Sequence, residues 1–287
     1  MRNIIYVIAA IAVVSSCGLD VDVYDQLTPY NALNTEDDVK TAVTGIYHEL
    51  RGGGWNAYNC AWGSLLTMQV GCTDECDCNW NWDVQMDFLW KAETADMGIF
   101  YNEMMPAVTK ATSLIERLKP VKISAPFKRQ CTAELRCLRA IWAYDLYDLY
   151  GPVTIVSDPG IALDPGAADA WQPERPSVEW YVGFVARELK ECQEHLKKAS
   201  ELSSSEYGRM TKGIAQMYLL KLFLHEAGQE MHYRSGNKDK AKIWWERVDS
   251  ITSVMQRENQ YSLQKDYMSI WSPSNQRNSE VIFPVPN

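Results

Sequence analysis

The sequence has few basic residues for its size: 28 Lys and Arg stand against 37 Asp and Glu, which gives a formal charge of −9. Nucleic-acid binding depends on a basic surface that displaces phosphate counterions, so this balance argues against a nucleic-acid partner. The basic residues are scattered along the chain rather than grouped. We therefore predict no polybasic patch that would hold the protein on a membrane surface.

Recognisable catalytic motifs are also missing. The chain has no Gly-x-Ser-x-Gly, no Walker loop and no His-Glu-x-x-His. Its four histidines lie inside or at the end of helical patterns, with no Ser or Cys motif beside them: His48, His195, His225 and His232. A glycosidase pair of carboxylates stays open because Asp and Glu are abundant. We predict a protein that is not an enzyme and has no catalytic residue or cofactor.

Phenylalanine is scarce, with six residues against 11 Trp and 15 Tyr. Trp and Tyr combine an apolar ring face with a polar edge, which suits binding surfaces as well as cores. Apolar residues make up 46% of the chain and charged residues 23%, as is usual for a folded soluble protein. The composition favours a folded protein that has aromatic side chains available for binding.

The N-terminus has an apolar run, residues 4–14, that follows Arg2 and is too short to span a bilayer comfortably. The sequence Val-Ser-Ser-Cys, which ends at Cys17, resembles the site where bacterial lipoproteins are cleaved before a cysteine. We predict a lipoprotein signal peptide over residues 1–16 and lipidation, including palmitate, at Cys17. The alternative is an ordinary secretory signal that happens to contain this cysteine.

The predicted acyl chains would anchor the protein to a membrane leaflet without a transmembrane helix. Residues 17–36 follow with Asp20, Asp22, Asp25 and the structure-breaking Pro29, and they show no periodicity. We predict that this segment is an acidic tether.

Residues 133–156 carry the strongest helical pattern in the chain. The apolar side chains that recur every three or four residues are Leu135, Leu138, Trp142, Leu146 and Leu149. The charged residues that lie off this stripe are Arg136, Arg139, Asp145 and Asp148. The pair Gly151-Pro152 is predicted to end the helix. The β-branched residues that follow, 153–156, are predicted to be extended.

Five further stretches have helical periodicity with start or stop signals: residues 34–50, 99–118, 177–196, 208–228 and 238–254. Residues 158–175 and 203–205 are predicted to be a loop and a linker. Helices that recur at spacings of about 30 to 40 residues suit tetratricopeptide-like pairs. The predicted fold is all-α, a tetratricopeptide-like array of helical hairpins with long irregular loops and little β structure.

Several of these segments together resemble the SusD/RagB family of outer-membrane nutrient-binding lipoproteins. The central helix ends in Asp-Leu-Tyr-Gly-Pro-Val, the first helix reads Thr-Glu-Asp-Asp…Ala-Val-Thr-Gly-Ile-Tyr, and residues 208–213 read Gly-Arg-Met-Thr-Lys-Gly. The motif Glu-Val-Ile-Phe at residues 280–283 matches a further landmark, in the same order. Residues 37–287 therefore resemble the N-terminal half of a SusD-like domain. Family members continue far beyond the last landmark, which implies a truncated product, a fragment or a reduced member.

Residues 55–90 have no helical or strand periodicity but are rich in Trp, Asp and Cys. Long loops of this kind are usually functional or disordered, and the many aromatic residues argue against disorder. Four of the eight cysteines lie here: Cys60, Cys72, Cys76 and Cys78. Their spacing does not fit a zinc finger. Disulfides, free thiols and a metal site all stay open, as does calcium binding by Asp74, Glu75, Asp77 and Asp83.

The sequence Asn-Trp-Asn-Trp-Asp offers flat rings beside hydrogen-bonding groups, which is the chemistry that sugar recognition requires. We predict that this motif binds a glycan through Asn79, Trp80, Asn81, Trp82 and Asp83. Further predicted binding residues in the same stretch are Trp55, Tyr58 and Trp62. The alternative for any one of these rings is packing against the helices.

The resemblance implies a cell-surface protein that captures oligosaccharides or polysaccharides at the outer membrane. It also implies a partner, a SusC-like TonB-dependent transporter that receives the glycan. One rival interpretation is a tetratricopeptide-type envelope scaffold that binds peptides or another protein. A second rival is an enzyme on a helical fold. Oligosaccharide binding without product formation would distinguish the glycan-capture interpretation from both rivals.

Replacing Trp80 and Trp82 together by Ala tests the predicted glycan platform. If the segment is extended, the two rings share one face about 7 Å apart. Each stacked ring would contribute ~1–2 kcal/mol. We expect oligosaccharide binding to weaken at least tenfold while the helical circular dichroism stays unchanged. Loss of folding would instead support the packing alternative.

Overall fold

The protein is an array of helices in a computed structural model that describes residues 33–51, 64–75, 88–91, 94 and 98–286. Within these residues no strand forms, so the predicted all-α class is confirmed. The α-helices are α1 (Glu36–Tyr47), α2 (Leu65–Val70), α3 (Ile99–Leu118), α4 (Ala125–Tyr150), α5 (Pro159–Leu163), α6 (Pro165–Ala170), α7 (Val178–Glu191), α8 (Lys212–Gln229) and α9 (Lys238–Glu258). None of the described helices combines the length and hydropathy that crossing a bilayer requires.

The long helices pack as neighbouring pairs, as the tetratricopeptide-like prediction required. Helix α3 lies along α4, and α8 lies along α9. Helix α7 contacts both α4 and α8 and so joins the two pairs, while α1 packs against α3 and α4. Helix α4 therefore has neighbours on most of its surface, and its side chains form the centre of the core.

Helix α1 begins where the sequence predicted a start signal. The Thr35 hydroxyl accepts a hydrogen bond from the Asp38 backbone N–H, and the Asp38 carboxylate accepts one from the Thr35 backbone N–H. This reciprocal capping box satisfies donors that the first helical turn leaves unpaired. The predicted apolar stripe faces the core, because Val39, Val43 and Ile46 are buried.

Helix α4 is longer and more deeply buried than predicted. It begins at Ala125 rather than near residue 131, with a proline in its first turn, where the missing N–H costs nothing. It ends as predicted, at Gly151, whose φ of +74° favours glycine. Arg139 and Asp145 lie off the predicted apolar stripe, but both are buried. Four helices pack around α4, namely α1, α3, α7 and α8, so they cover sides of α4 that a single partner helix would leave exposed.

Paired charges explain how α4 tolerates this burial. Arg139 donates to Glu188 of α7 and to the Thr112 hydroxyl of α3, the latter over 3.1 Å. Arg136 donates to the other oxygen of Glu188 over 2.7 Å. Burial opposes ionisation of Glu188, but the two guanidinium groups prevail and lower the pKa of its carboxyl group. A buried carboxylate that both Arg side chains hold joins three helices in one register.

A second buried carboxylate ties α1 to the start of α8. Glu134 of α4 accepts a hydrogen bond from the Tyr47 hydroxyl over 2.7 Å, and the Arg209 guanidinium pairs with the same oxygen. The Tyr47 hydroxyl in turn accepts a hydrogen bond from the Met210 backbone N–H. The predicted motif at residues 208–213 thus begins α8 while it anchors the first helix.

Gly213 of the same motif permits a close approach between α8 and the chain after α9. A Cβ atom at this position would lie 2.1 Å from the Tyr261 hydroxyl oxygen. No side chain can occupy that space without moving the tyrosine ring. This close contact explains why the residue two positions after Thr211, the cap of α8, is glycine.

One prediction about the connections is wrong, and another is not tested further. Residues 153–156, predicted to be extended, pair with no neighbouring strand among the described residues, and Val153 and Ile155 are buried. Residues 158–175, predicted to be a loop, contain the short helices α5 and α6. Each begins at an aspartate, Asp158 or Asp164, whose carboxylate accepts a hydrogen bond from a glycine N–H two residues later. The Asp-Pro-Gly sequences therefore start helical turns here.

Trp142 lies in the middle of α4 with no exposed surface. Its indole Nε1 finds no hydrogen-bond partner among the described residues, so its contribution is packing alone. We expect Trp142→Ala to lower the free energy of unfolding by roughly 3–5 kcal/mol, as large-to-small changes in cores do. Urea unfolding measures this loss.

Two control variants sharpen that measurement. Trp142→Phe keeps a ring and removes only the unpaired Nε1 and part of the volume, so its loss should be smaller. Trp245→Ala removes a side chain that is 45% exposed on α9 and should change stability little. A Trp142→Ala protein as stable as the Trp245→Ala protein would contradict the packing described here.

Candidate functional site

The predicted glycan-binding residues lie outside the described part of the chain: Trp55, Tyr58, Trp62, Asn79, Trp80, Asn81, Trp82 and Asp83. Cys17 and three of the clustered cysteines, Cys60, Cys76 and Cys78, do so as well. The structure does describe residues on both sides of the Trp-rich segment, 64–75 and 88–91. Among the described residues, no group of three His, Cys, Asp or Glu side chains is arranged to hold a metal ion.

These flanking residues line a cleft of about 450 Å³ at the C-terminal end of α4, which we call the aromatic cleft. Residues from α2, α3 and α4 meet there with the segment 88–91. The lining residues are Met68, Cys72, Trp90, Lys91, Gly98, Tyr101, Asp148, Leu149 and Tyr150. A volume of this size is typical of small-molecule sites.

Aromatic rings dominate one part of the aromatic cleft. Trp90 is 40% exposed and lies 5.3 Å, centroid to centroid, from the exposed ring of Phe88. Tyr101 and Tyr150 meet edge to face with centroids 5.7 Å apart. Burial raises the pKa of Tyr150 to about 12, so its hydroxyl stays neutral and keeps its proton at physiological pH. The cleft therefore offers flat apolar faces beside a neutral phenol.

Asp148 supplies the fixed polar group in the aromatic cleft. The Gln69 side-chain amide donates to one of its carboxylate oxygens over 3.0 Å. The His225 Nε2 atom lies 3.6 Å from the other oxygen. The Asp148 side chain remains about a quarter exposed at 24%, so it can still accept hydrogen bonds from a ligand. Contacts on both oxygens orient the carboxylate before any ligand arrives.

The His225 side chain that contacts Asp148 belongs to a buried hydrogen-bond network. His225 Nδ1 lies 3.3 Å from Glu226 Oε1, and the Tyr147 hydroxyl donates to that same oxygen over 2.7 Å. The Arg234 guanidinium donates to the second Glu226 oxygen over 2.6 Å. Burial opposes ionisation of Glu226, but the hydrogen bonds from these three neighbours lower the pKa of its carboxyl group to about 2. The imidazole that contacts Asp148 is thus held in place from α8.

Other cavities in the described residues fit this chemistry less well. A larger one, of about 740 Å³, lies beside residues 116–122, and its described lining includes no aromatic ring. A groove of about 460 Å³ between α7 and α9 contains Trp244. The Arg247 guanidinium lies 4.3 Å from the centroid of that indole and covers one of its faces. The aromatic cleft therefore combines accessible rings and a positioned carboxylate better than either.

Sequence patterns alone did not assign Trp90, Tyr101, Asp148 and Tyr150 to a site. Trp90 was visible as part of the Trp-rich stretch, and Asp148 and Tyr150 belong to the Asp-Leu-Tyr-Gly motif that ends α4. The available signal was the position of this motif at a helix terminus, where side chains reach the surface. Tyr101 has no comparable signal, because it lies within the apolar periodicity of α3.

Comparison with known proteins identifies the fold. No protein-family model matches the sequence, and no curated protein matches it. Solved structures do match, with a SusD-like fold. A laminarin-binding SusD-like protein aligns with a TM-score of 0.67 and 17% identity over 87% of this chain and 51% of its own. A SusD-like protein from Bacteroides fragilis aligns with a TM-score of 0.65 and 22% identity over 87% and 44%.

A third similar structure is surface glycan-binding protein A from Bacteroides thetaiotaomicron, solved in complex with laminarihexaose. It aligns with a TM-score of 0.63 and 16% identity over 87% of this chain and 49% of its own. The chain thus spans about half the length of the structures it resembles. The SusD-like fold expected from the sequence motifs is confirmed.

Ionised Glu226 should stabilise the fold in a pH-dependent way. Its pKa is lowered from 4.5 to about 2 on folding. The stabilisation, roughly 3 kcal/mol, is therefore fully present above about pH 5 and is lost as the pH falls toward 2. Glu226→Gln removes this titration. We expect the difference in unfolding free energy between wild type and Glu226→Gln to narrow as the pH falls from 5 to 3.

The matched control is Glu116→Gln, which removes a carboxylate from a surface pair with Lys119. Such exposed pairs contribute little, so this difference should stay small at every pH. Urea unfolding from pH 7 to pH 3 measures both. A Glu226→Gln difference that does not vary with pH would contradict the network described above.

Proposed function

We propose that this protein binds oligosaccharides without catalysis and that the aromatic cleft is part of its binding site. One observation carries the proposal: Trp90, Tyr101 and Tyr150 line a single cleft with the positioned carboxylate of Asp148. The fold adds support, because solved proteins that share it include one described as laminarin-binding and one in complex with laminarihexaose.

The chemistry of the cleft suits a sugar ring. The apolar face of a pyranose stacks on an aromatic ring, and the half-exposed indole of Trp90 offers such a surface. Sugar hydroxyls need fixed acceptors and donors at the edge of the ring. Asp148 would accept from a hydroxyl, and the Lys91 ammonium at the cleft would donate to one. The Trp-rich segment that carries Trp80 and Trp82 adjoins this cleft in sequence on both sides.

We further propose that the protein acts at the cell surface and passes its ligand to a SusC-like TonB-dependent outer-membrane transporter. Support comes from the predicted lipidation site at Cys17 and from the ordered SusD-like motifs along the chain. The lipid anchor would hold the aromatic cleft close to a membrane-embedded partner. The SusD-like fold is consistent with this role.

The alternative function is a scaffold that binds peptides or another envelope protein. The tetratricopeptide-like pairing of the helices favours it, since such arrays present long grooves to their partners. The two proposals differ in the ligand. A panel of neutral oligosaccharides that includes laminarihexaose, tested beside a peptide library, would separate them.

Trp90→Ala tests the cleft directly. Loss of one stacked ring should weaken oligosaccharide binding about tenfold in isothermal titration calorimetry. Trp245→Ala is the matched control, because that indole is similarly exposed, at 45%, but lies on α9 and does not line the aromatic cleft. It should leave affinity unchanged. Asp148→Asn should also weaken binding, since it replaces a charged acceptor with a neutral amide.

Affinity and circular dichroism together distinguish loss of the binding site from loss of folding. Equal affinity in wild type and Trp90→Ala, both folded by circular dichroism, would remove the aromatic cleft from the site. No affinity of the wild-type protein for any oligosaccharide, together with binding of peptides, would replace the glycan proposal with the scaffold alternative.

A further inference from the structure

His225 differs from the other three histidines of the chain in its surroundings. Those three are exposed, whereas the His225 side chain is only 18% exposed. Its two ring nitrogens face two different carboxylates. Nδ1 lies 3.3 Å from Glu226 Oε1, and Nε2 lies 3.6 Å from Asp148 Oδ1. A single imidazole therefore connects the buried network of α8 to the carboxylate of the aromatic cleft.

The neighbours of each nitrogen determine which one carries the proton in the neutral ring. Glu226 is ionised, since the pKa of its carboxyl group is lowered to about 2, and a carboxylate only accepts hydrogen bonds. Nδ1 must therefore donate. Nε2 is then an acceptor, and the Gln229 side-chain amide lies 3.4 Å away as its donor. Asp148 Oδ1 faces the same acceptor nitrogen, so no hydrogen bond joins the two, as their separation of 3.6 Å indicates.

A proton added at Nε2 reverses this arrangement. Nε2–H would then donate a charge-assisted hydrogen bond to Asp148 Oδ1, and such bonds are about 2.8 Å long. The carboxylate and the ring must approach each other to form it, and the Gln229 amide must turn away because it no longer has an acceptor. The Gln69 amide holds the second Asp148 oxygen over 3.0 Å. The carboxylate therefore rotates about a fixed oxygen instead of leaving the site.

Both signs of charge surround His225, so the ring is not committed to one protonation state. The Lys221 ammonium, one turn earlier on α8, lies 5.2 Å from the centroid of the Tyr144 ring, which meets the imidazole edge to face. The titratable and charged side chains near the ring are Tyr144, Asp145, Tyr147 and Asp148 of α4, Tyr181 of α7, Lys221 and Glu226 of α8, and Arg234 of the π-helical turn Glu230–Arg234.

Helix α9 packs on another side of α8. Its Arg247 guanidinium lies 5.8 Å from the centroid of the Phe223 ring. Phe223 is two residues before His225, which corresponds to about 200° around a helix. The cation of α9 therefore approaches the face of α8 that is opposite the imidazole.

Histidine is the residue type beside the cleft that ordinarily changes its charge between pH 5 and pH 8. Carboxyl groups ordinarily titrate below this range, and lysines and tyrosines titrate above it. Burial raises the pKa of the Cys72 thiol and raises the pKa of Tyr150 to about 12, which moves both further from it. A pH dependence of the cleft within this range therefore points to His225.

We propose that His225 is a positioning residue whose protonation controls Asp148 as a hydrogen-bond acceptor in the aromatic cleft. The neutral ring leaves Asp148 Oδ1 available to a sugar hydroxyl. The imidazolium engages that oxygen and turns it away from the cleft. Oligosaccharide is therefore held more tightly when the ring is neutral. This inference rests on the proposed binding of oligosaccharides at the cleft, although the contact between His225 and Asp148 needs no ligand.

Isothermal titration calorimetry of the full chain with laminarihexaose at pH 8 and pH 5.5 tests the effect on binding. We expect wild-type affinity to be roughly fivefold weaker at pH 5.5, because a hydrogen bond to a charged acceptor is weakened. His225→Gln keeps a neutral amide but removes the titration, so its affinity should be the same at both pH values. His195→Gln removes an exposed histidine and should retain the wild-type pH profile.

Nuclear magnetic resonance of the ligand-free chain tests the contact separately. The ring nitrogens of His225, assigned by comparison with His225→Gln, should show a proton on Nδ1 alone in the neutral ring and on both nitrogens in the cation. The carboxyl carbon resonance of Asp148 should change over the same pH interval in the wild type. In His225→Gln that resonance should stay constant over the interval.

The two measurements distinguish failure of this inference from failure of the proposed function. A wild-type affinity that varies with pH no more than that of His225→Gln would overturn the proposal, as would an Asp148 resonance that does not follow the ring. No binding of laminarihexaose at either pH, with the two titrations coupled, would contradict the proposed function and support the proton-controlled contact. If His225→Gln fails to fold, Asp148→Asn replaces it, and its weaker affinity should be the same at both pH values.

Discussion

The fold depends on neutralising charges inside the core in a defined geometry. Helix α4 carries Glu134 and Arg139 into the interior, where water cannot solvate them. Each is acceptable because a partner from another helix meets it, Arg209 before α8 in one case and Glu188 of α7 in the other. Apolar packing alone would allow these helices to slide along one another. The ion pairs specify the register, because a shifted helix would leave a buried charge unpaired.

The same constraint shapes the candidate binding site. Asp148 lies in the last turn of α4, where the helix leaves the core and its side chains reach the surface. The network that continues from the core through Glu226 and His225 meets Asp148 there. A ligand in the aromatic cleft would therefore contact a carboxylate whose position is set by α4 and α8 together. The flat rings of Trp90 and Tyr101 add contact area but come from segments outside this network.

Sequence patterns predicted the helices well where an apolar stripe is flanked by start and stop signals. Helix α3 has the predicted bounds, and α1 and α7 begin next to the capping residues Thr35 and Ser177, at the predicted starts of their ranges. The start of α4 was missed because its first turns are largely polar. Helices α5 and α6 were missed because proline and glycine were taken only as breakers.

The burial of the charged residues on α4 could not be predicted, for a different reason. Periodicity places Arg139 off the apolar stripe, but it cannot detect a partner such as Glu188, which is 49 residues away along the chain. The candidate site suffered from the same limit, since its residues come from three helices and one irregular segment. His225 in particular was judged by the absence of a nearby Ser or Cys, whereas its neighbours are the carboxylates of Asp148 and Glu226.

The hydroxyl of Tyr47 has a consequence for the order in which the protein is assembled. It accepts a hydrogen bond from the backbone of Met210, 163 residues later. The first helix therefore cannot complete its contacts until most of the chain has left the ribosome or the export channel. Its stripe of Val39, Val43 and Ile46 can be covered earlier, once α3 and α4 have been made, because α1 packs against both. The hydrogen bond from Met210 is thus a late step that joins an already covered first helix to the start of α8.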